Sequence, residues 1–363
     1  MKISIIVPLL DRRNAGLQAL TSALAQRYPR DGYEVVAVTG REASSTSDAS
    51  LDALLARCDS VVRTGLDPAV AAHEIQLYLA GLRGCTGDLL FFCEGHTVLH
   101  DDCCALIERY FVRHPRCEIA WAPRLNHAAS ALGRLVAMHN DRHQRRAAAA
   151  GVFSLGANSV IRRSTFDALG GLDARYLRFS ETALFHRALQ RGTVVGHIES
   201  PLATHFNDMT EILWHQLAQD TGNGRYAYYD DLFASGQANG GRIRHPVYAY
   251  ARRARIAALL APVLRASGPI LLRCAMRALP VGPRLAYRFY VLALACSDLA
   301  GYARAGAKRE LRRSRQAIGA ASERPDASAA AADQAFDARD DLARVGRPDA
   351  LDQRLSQIGQ EVS

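Results

Sequence analysis

The chain has 363 residues, and 45 Lys and Arg against 36 Asp and Glu give it a formal net charge of +9. Its hydrophobic share of 49% is enough for a sizeable core, which excludes global disorder. No uncharged apolar run of about 18 residues occurs, so we do not expect a membrane-spanning helix.

A strand-like run follows Met1 directly, without the apolar stretch and cleavage site of an export signal. We therefore expect a cytoplasmic protein. The eight cysteines are scattered and form no Cys-x-x-Cys pair, which favours reduced, buried thiols over a zinc or disulfide site.

From Met1 to about residue 231, apolar runs alternate with helical patterns. The predicted strands are 3–10, 33–38, 60–63, 89–93 and 194–198, and the helices between the first four are 17–24, 51–57 and 69–82. Strands joined by crossover helices predict an open α/β layer with a mainly parallel sheet. Ligands of such sheets bind beyond the carboxyl ends of the strands. Here those ends are Asp11, Thr39, Gly65 and Glu94.

Residues 245–313 combine arginines with apolar and aromatic residues. This composition predicts two or three helices lying in a membrane interface, with Arg near lipid phosphates. An ordinary helical cap on the first domain is the alternative. The helices are expected to break at four prolines, Pro262, Pro269, Pro280 and Pro283.

Residues 314–363 are rich in Ala, Asp, Arg and Gln, which predicts a mobile or partly helical tail. We therefore divide the chain into an α/β domain at 1–235, an Arg-rich helical region at 236–313 and a tail at 314–363.

The end of the fourth predicted strand carries a first candidate site. Gly87-Asp88 and five apolar residues lead into Glu94-Gly95-His96. Residues i and i+2 of an extended segment point the same way. A carboxylate and an imidazole placed together there could hold a divalent ion that bridges a diphosphate. The alternative is that both are exposed loop residues.

Two further residues are candidates for chemistry. Glu181 opens a predicted helix, where the helix dipole alone favours an acid. If it faces a substrate hydroxyl, it is placed to accept a proton. His205 follows a predicted strand and is either structural or a ligand of a metal or phosphate.

Several common signatures do not occur: a Gly-x-Gly-x-x-Gly turn after a strand, a P-loop, a Gly-x-Ser-x-Gly elbow and a His-Glu-x-x-His helix. This argues against nicotinamide, P-loop, hydrolase-elbow and zincin enzymes. The basic charge would also suit a nucleic acid, but no recognition module accompanies it.

The order of these pieces over residues 2–215 resembles the inverting glycosyltransferases of family 2, which have the GT-A fold. The matching pieces are the strand at 3–8, Ser22 and Gln26 before Tyr28-Pro29, the run from Gly87-Asp88 into Glu94, Gly170-Gly171-Leu172-Asp173, and Ser180-Glu181-x-x-Leu184-x-x-Arg187-x4-Gly192.

The chain departs from the family pattern at three places. The Asp-x-Asp position is Glu94-x-His96, the second strand ends at Thr39 where the family has Asp, and Glu181 falls where the catalytic Asp lies.

The resemblance implies a GT-A-like α/β fold, with a mixed, mainly parallel sheet flanked by helices and followed by a C-terminal helical appendage. It implies inverting transfer of a sugar from a nucleotide-diphosphate donor to a hydroxyl of a lipid-linked or polysaccharide acceptor. Together with the Arg-rich region, it predicts a peripheral protein on the cytoplasmic face of a membrane, without a nucleic-acid partner.

The resemblance also assigns roles to single residues. Glu181 would be the catalytic base. The predicted nucleotide-sugar contacts are Pro8, Asp11, Thr39, Glu94 and Arg187, and the predicted ligands of Mg²⁺ or Mn²⁺ are Glu94, His96 and His205. The alternative is a catalytically degenerate GT-A domain that binds a sugar nucleotide or serves as a scaffold in envelope polysaccharide assembly.

Overall fold

A computed structural model describes residues 1–9, 14–40, 49–66, 74–150, 159–234 and 254–322. The chain divides into two units, Met1–Ala307 and Lys308–Ser363. The fold and the candidate site both belong to the first unit. The predicted domain boundaries at 235 and 313 stay predictions.

A seven-stranded sheet forms the centre of the first unit. Its strands are β1 (Ile3–Pro8), β2 (Tyr33–Thr39), β3 (Ser60–Arg63), β4 (Leu89–Phe92), β6 (Ile119–Trp121), β8 (Ser159–Arg162) and β9 (Val195–His197). Their order in the sheet is β3-β2-β1-β4-β8-β6-β9. Only β8 is antiparallel to its neighbours; all other pairs are parallel. The strand order reverses beside β1, which is where α/β sheets open a ligand crevice.

Helices cover both faces of this sheet. One face carries α1 (Asn14–Leu24), α2 (Ala49–Leu55) and α4 (Cys103–Arg113). The other face carries α3 (Glu74–Leu82), α6 (Arg163–Ala168) and α7 (Ser180–Arg191). Every residue of β1, β2 and β4 is therefore buried, and these strands read as continuous apolar runs in the sequence.

A second, three-stranded sheet lies next to the first. It consists of β5 (Thr97–Leu99), β7 (Leu125–His127) and β10 (Ala203–Phe206), with β10 in the middle. The pairing of β10 with β5 sets His205 opposite Thr97, one residue beyond His96. This small sheet brings distant parts of the chain to the end of β4.

At the end of the large sheet where β1, β2 and β4 begin, Glu34 holds three segments together. Its carboxylate is 2.6 Å from the Lys2 ammonium and accepts hydrogen bonds from the Ser4 hydroxyl at 2.6 Å, from Thr86 and from the Gly87 amide at 3.0 Å. Burial raises the pKa of Glu34, but these donors outweigh burial and lower it to about 2.

Three long helices follow the sheet: α8 (Glu211–Ala234), α9 (Ala254–Ala278) and α10 (Pro283–Ser322). They share an apolar cluster with the earlier helix α5 (Ala131–Ala150). The predicted breaks at Pro262 and Pro269 are wrong, because α9 continues through both prolines. Each proline removes one backbone hydrogen bond, at a cost of about 3 kcal/mol. Packing of Leu272 and Ala275 against α5, α8 and α10 offsets that cost. The chain does break between 278 and 283, as the other two prolines predict.

The outer side of α9 and α10 is apolar and lined with arginines. Its exposed apolar side chains are Leu259, Leu260, Val263, Ile270, Val281, Leu285, Val291 and Leu292. Exposed arginines interleave with them at 265, 273, 277, 284 and 288. Within the described residues, one stretch, Leu259–Ala278, is long and apolar enough to cross a membrane when judged by length and composition alone.

All eight cysteines are free thiols; four of them are buried, Cys93, Cys103, Cys104 and Cys117, and the other four are partly exposed.

Candidate active site

Glu94, His96 and His205 converge just beyond β4. The Glu94 Oε2 atom is 2.9 Å from His205 Nε2 and 3.7 Å from His96 Nε2, and the two Nε2 atoms are 2.8 Å apart. One ligating atom from each residue lies within 4.8 Å of the others. The structure brings the three residues together, but not through the extended Glu94-x-His96 segment that the sequence predicts: the chain turns between Glu94 and Thr97, and His205 lies within a strand.

The protonation states of Glu94 and His205 suit metal ligation. Burial raises the pKa of Glu94, but Arg124 above all, and then His205, hold it well below its usual range. Burial, together with Arg124, lowers the pKa of His205 to about 3. At neutral pH the site therefore offers an ionised carboxylate and a neutral imidazole, which are the forms that ligate metals. The three ligating atoms lie close enough together to bind one divalent ion.

Arg124 is a site residue that the sequence patterns do not reveal. Its guanidinium Nη1 lies 3.0 Å from Glu94 Oε2, and its side chain is only 11% exposed. Gln144 of α5 holds its backbone: the side-chain Oε1 accepts from the Arg124 amide at 2.9 Å, and Nε2 donates to the carbonyl at 3.4 Å. Arg124 lies between two short strands, where no periodicity or spacing marks it.

Glu181 joins the same charged group through Arg178. Arg178 is bonded to buried Glu74 of α3 and interacts electrostatically with Glu94, Glu181 and Tyr78. The segment that carries it, Ala174–Phe179, contains Leu177 at φ 46°, ψ −137°, a left-handed conformation that side chains rarely adopt. Such strain persists where surrounding contacts fix the backbone, often at functional sites.

Two neighbouring features orient Glu181. It stands in the first turn of α7, and the preceding Ser180 hydroxyl accepts a hydrogen bond from the Asp173 amide at 2.7 Å. Gly170 and Gly171 both adopt positive φ, 77° and 61°, and form the turn before Asp173. The Gly170-Gly171-Leu172-Asp173 motif and the motif that begins at Ser180-Glu181 are thus one structural unit.

The other predicted nucleotide-sugar residues that the structure describes lie at the ends of strands near β4 and on α7. Pro8 and Thr39 are buried at the ends of β1 and β2, and the Thr39 carbonyl accepts a hydrogen bond from the Thr64 hydroxyl at 3.1 Å. Arg187 donates to the Gly171 carbonyl and so braces the glycine turn. Asp11 lies outside the described residues.

The strand order and the single antiparallel strand are those of a GT-A-type α/β fold. The mannosyltransferase PcManGT from Pyrobaculum calidifontis, solved in complex with GDP-Man and Mn²⁺, superposes with a TM-score of 0.50 at 16% identity, over 82% of this chain and 85% of that one. This likeness confirms the predicted fold.

S. aureus TarS gives a TM-score of 0.43 at 11% identity, over 84% of this chain, and the match spans 55% of the TarS chain. Its form 1–349 in complex with UDP gives a TM-score of 0.44 at 12% identity, over 86% of this chain and 92% of that one. No protein-family model and no curated protein sequence matches the chain.

Proposed function

We propose that this protein is an inverting glycosyltransferase that moves a sugar from a nucleotide-diphosphate donor to a hydroxyl of a lipid-linked or polysaccharide acceptor. One observation carries the proposal: in a GT-A-type fold, a cluster of potential cation ligands at the end of β4 and an acid at the start of α7 both interact electrostatically with Arg178.

In this reaction, Glu181 accepts the proton of the acceptor hydroxyl. The acceptor oxygen bonds to the anomeric carbon while the bond from that carbon to the diphosphate breaks on the opposite face, which inverts the configuration. Arg178 interacts electrostatically with Glu181 and forms an ion pair with Glu74. Base catalysis of this kind contributes about 10²- to 10⁴-fold in rate.

Glu94, His96 and His205 would hold a divalent cation, which supplies charge neutralisation for the leaving diphosphate. Two imidazoles favour a transition-metal ion such as Mn²⁺ over Mg²⁺, which prefers oxygen ligands. The Mn²⁺ in the mannosyltransferase complex from Pyrobaculum calidifontis supports this choice.

A thermal-shift titration with UDP and with GDP, each with and without Mn²⁺, tests the donor site. We expect one of the two nucleotides to raise the Tm, and Mn²⁺ to enlarge the increase. The Glu94→Gln variant should lose the Mn²⁺-dependent part, whereas Glu199→Gln, at an exposed position, should keep it. No increase with either nucleotide would contradict the proposal.

Release of nucleoside diphosphate from the matching sugar nucleotide tests Glu181. We expect Glu181→Gln to lower turnover by at least 10²-fold while the nucleotide-induced Tm increase stays unchanged. Equal turnover in the variant would exclude Glu181 as the base. Nucleotide binding without turnover in the wild type would favour the degenerate, scaffold alternative.

We further propose that the protein is peripheral on the cytoplasmic membrane through the outer side of α9 and α10. Exposed Leu259, Val263 and Ile270 recur at helical spacing, and Arg273 and Arg277 are exposed near the same stripe. Apolar side chains at the acyl boundary with Arg at phosphate depth suit an anionic lipid surface.

Flotation of the full chain with vesicles tests this proposal. We expect binding to vesicles containing phosphatidylglycerol, weaker binding to phosphatidylcholine alone, and loss of binding in Val263→Asn/Ile270→Asn. Val112→Asn, an equally exposed apolar position on α4, is the matched control and should still float. Unchanged flotation of the double variant would contradict the membrane proposal.

A further inference from the structure

One carboxylate oxygen in the candidate site already has a permanent cation as its partner. Glu94 Oε2 lies 3.0 Å from the Arg124 guanidinium and 2.9 Å from His205 Nε2. A divalent ion bound by Glu94, His96 and His205 would share that oxygen with Arg124. A guanidinium stays charged at every accessible pH, so the pairing is not removed by deprotonation.

The ion pairs around the site bear on this conflict. Four described carboxylates, Glu74, Glu94, Glu181 and Asp220, interact with the two guanidiniums of Arg124 and Arg178. Glu74 pairs with Arg178 and Glu94 with Arg124, so a dication entering at Glu94 meets a carboxylate whose charge is already compensated. Like charges in a buried place repel strongly because water screens them little.

A diphosphate changes this balance. It brings several negative charges and offers oxygen acceptors that match the planar guanidinium fork. The two hydrogen bonds with Gln144 involve the main chain of Arg124, so a turn of the guanidinium from Glu94 to a phosphate would leave them in place.

From these contacts we infer that Arg124 forms an ion pair with Glu94 in the nucleotide-free protein. When the donor binds, the Arg124 guanidinium binds the diphosphate instead, and Glu94 can then bind the divalent cation. This partner switch rests on the proposed function. It makes cation binding weak until the nucleotide arrives. This effect adds to the chelation that the diphosphate itself contributes, and the coupling free energy between the two ligands is the same in either order of binding.

Electron paramagnetic resonance of free Mn²⁺, titrated against the full chain, tests the partner switch. Without nucleotide, we expect the neutral variant Arg124→Gln to bind Mn²⁺ on the order of tenfold more tightly than the wild type. Arg124→Met is a second neutral variant that keeps the apolar stem. Arg124→Lys keeps the charge and should stay within about twofold of the wild type. Arg134→Gln removes an exposed arginine of α5 and should change nothing.

The same titration is repeated with UDP or GDP, after subtraction of the Mn²⁺–nucleotide equilibrium measured without protein. The nucleotide should tighten Mn²⁺ binding at least fivefold more in the wild type than in Arg124→Gln. If the wild type binds nucleotide but both neutral variants bind Mn²⁺ no more tightly than the wild type does, the partner switch alone is overturned. A lysine variant that behaves like the neutral ones would also overturn it. A wild type that binds neither nucleotide overturns the partner switch and the proposed function together.

Discussion

Glu34 connects β1, β2 and the start of β4 at the end of the sheet opposite the candidate site, and its replacement by Gln is a quantitative test of the structure. Gln keeps the shape of the side chain but presents an amide to the Lys2 ammonium and to the Thr86 hydroxyl. Lowering the pKa of Glu34 from its ordinary 4.5 to about 2 corresponds to about 3 kcal/mol of stability at pH 7. Because the side chain is almost fully buried, solvent screening removes little of this contribution.

The sign of the pH dependence follows from the lowered pKa. The contribution is complete above about pH 4.5 and is lost as the pH falls from there to about 2, where the folded protein also binds the proton. We therefore expect Glu34→Gln to reduce the free energy of unfolding by about 3 kcal/mol at pH 7 and by about 1 kcal/mol at pH 3.

Urea unfolding followed by tryptophan fluorescence measures this difference, since buried Trp121 lies in the same sheet. Glu199→Gln, at an exposed position, is the control and should leave the free energy of unfolding unchanged at both pH values. An equal loss of stability at pH 7 and pH 3 would refute the reasoning, because the destabilisation would then not come from the ionised carboxylate.

Three further substitutions test the contacts around the site. Gly224→Ala should lower stability by about 3 kcal/mol and abolish turnover, because the added Cβ overlaps the Tyr176 carbonyl. Thermal unfolding measures this, with Gly65→Ala as the control because a Cβ added at Gly65 meets no other atom. Leu177→Val should lose about 1 kcal/mol while Leu177→Gly does not, since a β-branched residue fits φ 46° worst; equal Tm values would contradict this strain. Tyr78→Phe should be neutral or stabilising by about 1 kcal/mol in urea unfolding, because its buried hydroxyl has no hydrogen-bond partner among the described residues; a large loss would show that the hydroxyl has a partner in solution.

The central fold could be predicted because its signals are local. The runs at β1, β2 and β4 are apolar at nearly every position, and only a strand covered on both faces requires that pattern. Short strands such as β5, β7 and β10 leave no comparable run, since three or four residues carry too little periodicity. The small sheet that delivers His205 was therefore not predicted.

The candidate site was predictable only in part for a similar reason. Glu94 and His96 are neighbours in sequence, so their spacing indicates a common site. Arg124 and Glu74 reach the site through tertiary pairing alone, and nothing in their sequence surroundings distinguishes them from other charged residues. The uninterrupted α9 was missed because the rule that proline ends a helix neglects the packing of the opposite helix face.

Helix α8 has consequences for how mechanical displacement would travel through the molecule. At Gly224 it touches the backbone of the strained segment beside Arg178, and at Gly222 it touches the backbone of α10 at Asp298. Contacts between main chains have no side-chain torsions to absorb a shift, so α8 rigidly connects the segment beside Arg178 to α10. A displacement of α10 at Asp298 would therefore be transmitted to the strained segment that precedes Glu181.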